Sequence, residues 1–219
     1  QNSKRTEFYR KYLSSSEWVS SRTILKSSET KEEFDKKSIL ERFKIQLLRS
    51  KIHIEFVNKP PVSWMIDDDF KISSEIKKDY IVIFPFCSPK HQQKIWPYYN
   101  ELILKLKSNF PDIDIVIAPG PGEIKAAKKY NVKICLHNKK PTNFFQLSKL
   151  LIGAKYVISN DTGPAHLAAH MGCHGLALFG SHTTPKKVSI ETSHFSSISS
   201  KNISDISVEA VYKKIDSHL

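Results

Sequence analysis

From residue 80 onward, apolar positions fall into short runs separated by amphipathic stretches. The runs are 80–86 (YIVIFPF), 113–118 (IDIVIA), 132–136 (VKICL), 155–159 (KYVIS) and 175–179 (GLALF). Short apolar runs bounded by polar turns mark strands buried on both faces. Between them the period lengthens. Residues 96–108 place Tyr99, Leu102, Ile103 and Leu106 on one helical face. Helices are also predicted over 123–130, 143–152 and 164–171, and a last one over 207–217 with Ser204 or Asp205 as its cap. Strand alternating with helix predicts an α/β domain over 79–219, with a doubly wound, parallel, Rossmann-like sheet.

Residues 1–78 have no such rhythm. A short helix is predicted over 6–13, ended by Ser14-Ser15-Ser16. Residues 37–50 carry Ile39, Leu40, Phe43, Leu47 and Leu48 at helical spacing, and 52–57 (IHIEFV) alternate as a short strand would. Pro60-Pro61 and Asp67-Asp68-Asp69 are loop signals. No closed core is visible. The stretch reads as a helical segment and linker, the tail of an N-terminal domain that is incomplete in this chain.

In doubly wound sheets, ligands bind beyond the carboxyl ends of the strands. The residues that follow each strand therefore carry the functional question. All seven glycines lie between 120 and 180, where tight turns and ligand loops belong. After the first run comes a polar loop with Lys90 and Lys94, and Pro97 is placed to start the next helix. After the second comes Pro119-Gly120-Pro121-Gly122-Glu123, with Glu123 in the first helical turn. After the fourth comes Asn160-Asp161-Thr162-Gly163-Pro164-Ala165-His166. There Asp161 or Thr162 caps the helix, and the free N–H groups make an anion site. Gly163 leaves room for a phosphate against the backbone, and His166 can donate to a phosphate oxygen from one turn in. The same residues also read as nothing more than a well-capped helix start. Glu123 complements the helix dipole, or accepts from ribose hydroxyls as acids do in other doubly wound sites. Lys94 is either solvated or faces the rim that carries Asp161. The last loop is Gly180-Ser181-His182-Thr183-Thr184.

Three of these segments, in order and each after a strand, resemble glycosyltransferase family 9, the heptosyltransferases of lipopolysaccharide core synthesis. They are Lys94-Ile95-Trp96-Pro97, Pro119-Gly120-Pro121-Gly122-Glu123 and 159–180 (SNDTGPAHLAAHMGCHGLALFG). The Asp-Thr-Gly motif with its downstream His is met by Asp161, Thr162, Gly163 and His166, and the Lys-x-Trp-Pro element by Lys94, Trp96 and Pro97. The resemblance covers 79–219 well and 37–66 more weakly. It implies that this domain is the C-terminal, donor-binding half of a GT-B fold. Asp161, Thr162, Gly163 and His166 would hold the diphosphate and donor sugar. Lys94 would stabilise the leaving phosphate, with Ser88 donating from the same loop. Glu123 would bind the ribose, and Thr142 lies where the family contacts adenine. The implied reaction is inverting, metal-independent transfer of a sugar such as heptose from an ADP-sugar to a lipopolysaccharide-core or other glycolipid acceptor. No cofactor beyond that nucleotide-sugar substrate is implied. The family's general base lies in the N-terminal domain, so none is assigned here, and the chain by itself is expected to be inactive.

Charge and cysteines refine this picture. The net charge is +12, and all five arginines lie at or before Arg49. A lysine surface attracts phosphates and anionic lipid, whereas bidentate base recognition favours Arg. No nucleic-acid-binding motif is present, and Phe84, Phe86, Phe144 and Phe145 read as packing residues. A nucleic-acid module is therefore the weaker alternative. His166 and His170 share a helix face and could ligate zinc in a hydrolase, but the Glu of H-E-x-x-H is missing. Cys87, Cys135 and Cys173 form no pattern and read as buried thiols of a reducing, cytoplasmic setting. No apolar run is long enough to span a membrane. Contact with an anionic inner-membrane surface is compatible with the charge.

Overall fold

The structure is a computed structural model that describes residues 8, 9, 11, 12, 24–53 and 61–219. It divides into two compact units, Gln1–Pro60 with Lys186–Ser189, and Pro61–Pro185 with Ile190–Leu219.

In the first unit, Phe8, Tyr9, Lys11 and Tyr12 are helical, and the rest of the predicted 6–13 helix lies outside the described residues. Helix α1 (Lys31–Lys36) opens on a capping box between Thr30 and Glu33. Helix α2 (Ile39–Arg49) is capped by Ser38. Its apolar stripe is present, yet none of its residues is buried, and Phe43 and Leu48 are exposed. Arg49 donates from both terminal nitrogens to Glu29, at 2.5 and 2.8 Å, and holds that carboxyl down to about 2. The strand predicted over 52–57 falls mainly on residues outside the description, and Ile52 and His53 are in no strand.

The second unit is built on six parallel strands: β1 (Tyr80–Phe84), β2 (Asp114–Ile117), β3 (Lys133–Ile134), β4 (Tyr156–Asn160), β5 (Gly175–Phe179) and β6 (Phe195–Ser199). Their order is β3-β2-β1-β4-β5-β6, which reverses direction between β1 and β4. Strands β1, β4 and β5 are buried along their whole length. Helix α3 (Tyr99–Asn109) lays Tyr99, Leu102, Ile103 and Leu106 into the core as the spacing predicts. It starts two residues later than Pro97 suggested, because Trp96 and Tyr99 are anchored first (see below). Helix α4 (Ile124–Ala127) continues as a 3-10 turn to Tyr130. Helix α5 (Phe144–Ile152) has an Asn143–Gln146 capping box, and α6 (Gly163–His170) follows β4.

Several expectations change. Residues 61–78 belong with the sheet and not with the segment before them. Phe70 and Ile76 are buried, Asp67 N–H donates to Phe145 O, and Lys77 N–H donates to Asp114 Oδ2 at 2.7 Å. The final helix, α7 (Val208–Asp216), is capped by Ser207, since Ser204 and Asp205 form a separate 3-10 turn. Phe144 and Phe145 are exposed rather than packed, at 47% and 43%. Cys135 and Cys173 are buried, but Cys87 is only half-buried. The sixth strand was not expected. It docks because Gly175 has no side chain: a Cβ there would lie 2.3 Å from the Phe195 ring and 2.6 Å from Val157 O.

Candidate functional site

The order of strands reverses at β1 and β4, so the loops after these two strands splay apart and leave a crevice. Asn160, the last residue of β4, is fully buried and ties the two loops together. Its Oδ1 accepts from Trp96 N–H at 3.1 Å and from the Tyr99 hydroxyl at 3.2 Å. The Trp96 indole donates to Ile206 O at 2.8 Å. These bonds fix the end of the 3-10 segment Pro89–Lys94, and so fix where Lys94 emerges.

Lys94 meets Asp161. Its ammonium lies 2.7 Å from Asp161 Oδ2. His182 Nε2 reaches the same oxygen at 2.8 Å, and His166 Nε2 reaches Oδ1 at 3.3 Å. Asp161 is 5% exposed. Burial alone would raise its pKa, but the bonds from His166, Lys94 and His182 together hold it well below the ordinary carboxylate range. An ionised carboxylate only accepts, so both imidazoles carry their proton at Nε2.

Asp161 is thus a hub for three donors and not the helix cap. Thr162 takes the cap position of α6, but its hydroxyl pairs with Ser159 Oγ at 3.0 Å. No side chain caps the first turn, which leaves its N–H groups facing outward. A Cβ on Gly163 would meet nothing within 4 Å, so the fold itself leaves open space there.

Beside this cluster lies a cavity of about 330 Å³ between the strand-end loops. Ser88, Glu123, Thr142, Thr162 and Gly163 line it, with apolar walls from Phe84, Phe86 and Leu147. Five of the predicted residues therefore line one cavity, and Lys94, Asp161 and His166 form the polar group beside it. Glu123 sits at the cap position of α4, and its carboxylate accepts the Gly120 N–H at 2.7 Å, closing the second loop. Two participants escaped the sequence reading. His182 was visible only as a residue of the last loop without a role, and Asn160 only as the first residue of the loop after the fourth run.

His166 and His170 stack at 6.5 Å, with His166 engaged by Asp161. Among the described residues no group of three His, Cys, Asp or Glu side chains could hold a metal ion.

The sequence profile of glycosyltransferase family 9 (heptosyltransferase) matches residues 11–211. The chain belongs to this family. No curated protein matches it. Among solved structures, it is similar to E. coli heptosyltransferase WaaC with ADP, at 24% identity and a TM-score of 0.51 over 63% of this chain and 43% of that one. WaaC with ADP-2-deoxy-2-fluoro heptose aligns over 90% of this chain and 58% of its own, at 18% identity and a TM-score of 0.62. The family 9 glycosyl transferase of Veillonella parvula DSM 2008 aligns over 96% and 64%, at 16% identity and 0.55. The family 9 chain thus spans about half the length of the heptosyltransferases it matches first. Its sheet unit is the Rossmann-like fold expected of one half of a GT-B glycosyltransferase. Among the described residues no helix is long and apolar enough to cross a membrane.

Proposed function

We propose that the sheet unit binds an ADP-linked sugar, such as ADP-heptose, as donor for inverting, metal-independent transfer to a lipopolysaccharide-core or other glycolipid acceptor. The observation that carries this reading is Lys94 held at Asp161 beside the uncapped start of α6, next to a cavity lined by both polar and apolar side chains. The apolar lining from Phe84, Phe86 and Leu147 suits a nucleobase, with Thr142 among the polar lining groups. Glu123 suits ribose hydroxyls. The α6 terminus and Gly163 suit a diphosphate. That two related structures carry ADP or an ADP-sugar supports adenine as the base.

In the transfer, the acceptor hydroxyl attacks the anomeric carbon while the bond from that carbon to the diphosphate oxygen breaks. The electron pair leaves with ADP, and the hydroxyl proton passes to a base. Negative charge grows on the departing phosphate. Lys94 and the α6 N–H groups are the donors suited to stabilise it, while His166 keeps its Nε2 proton on Asp161 and so holds that carboxylate in place. Ser88 adds a hydrogen bond from the β1 loop. Asp67 and Asp68 are not suited to serve as the base: Asp67 Oδ1 accepts from Asp69 and Phe70 N–H, and Asp68 pairs with Lys149.

Calorimetry with ADP, with and without EDTA, tests donor binding. Binding at up to millimolar ligand that is indifferent to EDTA is expected. Absence of binding, or its loss with the chelator, would overturn the reading.

A further inference from the structure

The proposed role of Lys94 sets it a conflict. Its ammonium is 2.7 Å from Asp161 Oδ2, and a diphosphate would draw it away. Asp161 is nearly fully buried, and a buried carboxylate that loses its partner is strongly destabilised. Lys94 would then be pinned in place unless something else holds that oxygen.

His182 meets this requirement. Its Nε2 lies 2.8 Å from the same Oδ2, while His166 bonds the other oxygen, Oδ1. With Lys94 gone, Asp161 would still keep one donor on each oxygen. His182 is itself well placed to stay. It lies three residues past the end of β5, its side chain is 14% exposed, and its ring stacks on Phe179 at 6.2 Å and 8°. Like Lys94 and Asp161 it lies outside the cavity lining, and its Nε2 is already taken by Asp161.

We infer that His182 is a positioning residue which keeps the Asp161 carboxylate paired and so frees Lys94 to engage the phosphates of the ligand. The inference rests on the donor-binding reading above. It assigns a residue outside the cavity to the energetics of binding within it.

The test compares ADP binding by the wild-type chain with His182→Phe, His182→Gln, Asp161→Asn and the double variant Asp161→Asn/His182→Phe. Phe keeps a ring over Phe179 but donates nothing. Gln restores an N–H of similar reach. A charge-assisted bond sets the scale, so His182→Phe should weaken ADP about tenfold or more, and His182→Gln within about threefold. In the Asp161→Asn background the oxygen carries no charge to pin Lys94, and His182→Phe should then change little. If His182→Phe does not fold, His182→Asn takes its place, because its shorter amide stops short of Oδ2 and should behave as Phe does. Wild-type affinity in the donor-less variants overturns the inference. So does a loss of equal size in the Asp161→Asn background. Inorganic pyrophosphate, run in parallel, separates the two readings. If pyrophosphate binds with the same pattern and ADP does not, the adenine-nucleotide reading falls and the role of His182 stands. If neither binds, both fall.

Discussion

Both ends of the sheet carry a cavity and a group of histidines, and they differ in what lies between the rings. At the carboxyl end, His166 and His182 face the Asp161 carboxylate together with Lys94. At the amino end, His174 has His194 and His218 at ring distances of 4.7 and 5.6 Å, and among the described residues no carboxylate bonds to any of the three. The amino-end cavity is the larger, about 470 Å³ against about 330 Å³, and is lined by Lys107, Phe110, Asp114 and Lys133 among others. Size therefore points to one end and chemistry to the other. The carboxyl end has opposite charges organised around one buried oxygen pair, an uncapped helix start, and the strand-order reversal that opens the crevice. The amino end has like groups that repel when protonated. Convergent, paired polar groups carry the assignment.

The sharpest way to break this contrast is to remove the hub. Asp161→Ala leaves three donors without their acceptor in a nearly closed site. It should cost about 3 kcal/mol of stability, the lower end for breaking a buried ion pair, because Lys94 and His166 can partly resolvate. His174→Ala at the amino end should stay within about 0.5 kcal/mol, as exposed substitutions do. Urea unfolding with equal m-values reads both. Equal losses would mean that the carboxylate organises nothing.

Ligand binding gives the next contrast. Lys94→Ala should weaken ADP about 10- to 100-fold, the scale of a charge-assisted bond to phosphate. Lys133→Ala, a lysine of the larger cavity, should change affinity less than about threefold, as a screened charge would. Titration calorimetry at one ionic strength measures the pair. Similar losses would show that only diffuse positive charge attracts the nucleotide.

A smaller effect separates two glycines. At Gly163 a Cβ meets open space, so Gly163→Ala should leave stability within about 0.5 kcal/mol. The methyl would stand where the phosphate is proposed to lie, and ADP should weaken about fivefold, the equivalent of about 1 kcal/mol of overpacking. Gly175→Ala should do the reverse. Its Cβ collides with Phe195 and Val157 O, so the fold weakens, while the distant α6 terminus is untouched. Normal ADP affinity in folded Gly163→Ala would remove the phosphate from that position.

Much of this was legible in the residues, for identifiable reasons. The continuous apolar runs of β1, β4 and β5 can only be strands buried on both faces, and they are. The Lys94 and Asp161 pairing follows from topology once both are placed at strand ends beside the reversal. Strand β6 was hidden because Phe195–Ser199 reads FSSIS, with Ser196 and Ser197 half-buried and Ser199 exposed at the sheet edge. The start of α3 was misplaced because Pro97 is a good first-turn signal locally. Bonds from Trp96 and Tyr99 to Asn160, some 60 residues away, set the actual geometry. The role of His182 had no local signal at all. Its contact with Asp161 exists because β5 pairs beside β4, and spacing along the chain does not encode that. The local pattern offered Asp161 and Thr162 as equivalent caps, and only the remote donors distinguish them.

The weakest expected effect is one of pH, and it separates the two ends by where each titrates. Burial lowers the His174 pKa, and the neighbouring charges of His194 and His218 lower it further. His170, on α6, is lowered by burial and then by His166. A histidine whose folded pKa lies below its unfolded value of about 6.5 binds fewer protons in the native state. Its contribution is present above that value and is lost as pH falls through the folded pKa. Unfolding free energy should therefore decline between about pH 7 and pH 5. Asp161 works in a different window. Its pKa is held far below the carboxylate range, so its contribution stays constant over that interval and is lost only below about pH 4. His174→Asn should flatten part of the decline between pH 7 and pH 5, and His170→Asn should flatten the remainder attributable to these two rings. Neither should alter the loss below pH 4. Urea midpoints taken across pH 4–8 decide the matter. A slope unchanged in the double variant would show that the amino-end cluster is not under mutual repulsion in the native state, and the contrast between the two ends would then rest on Asp161 alone.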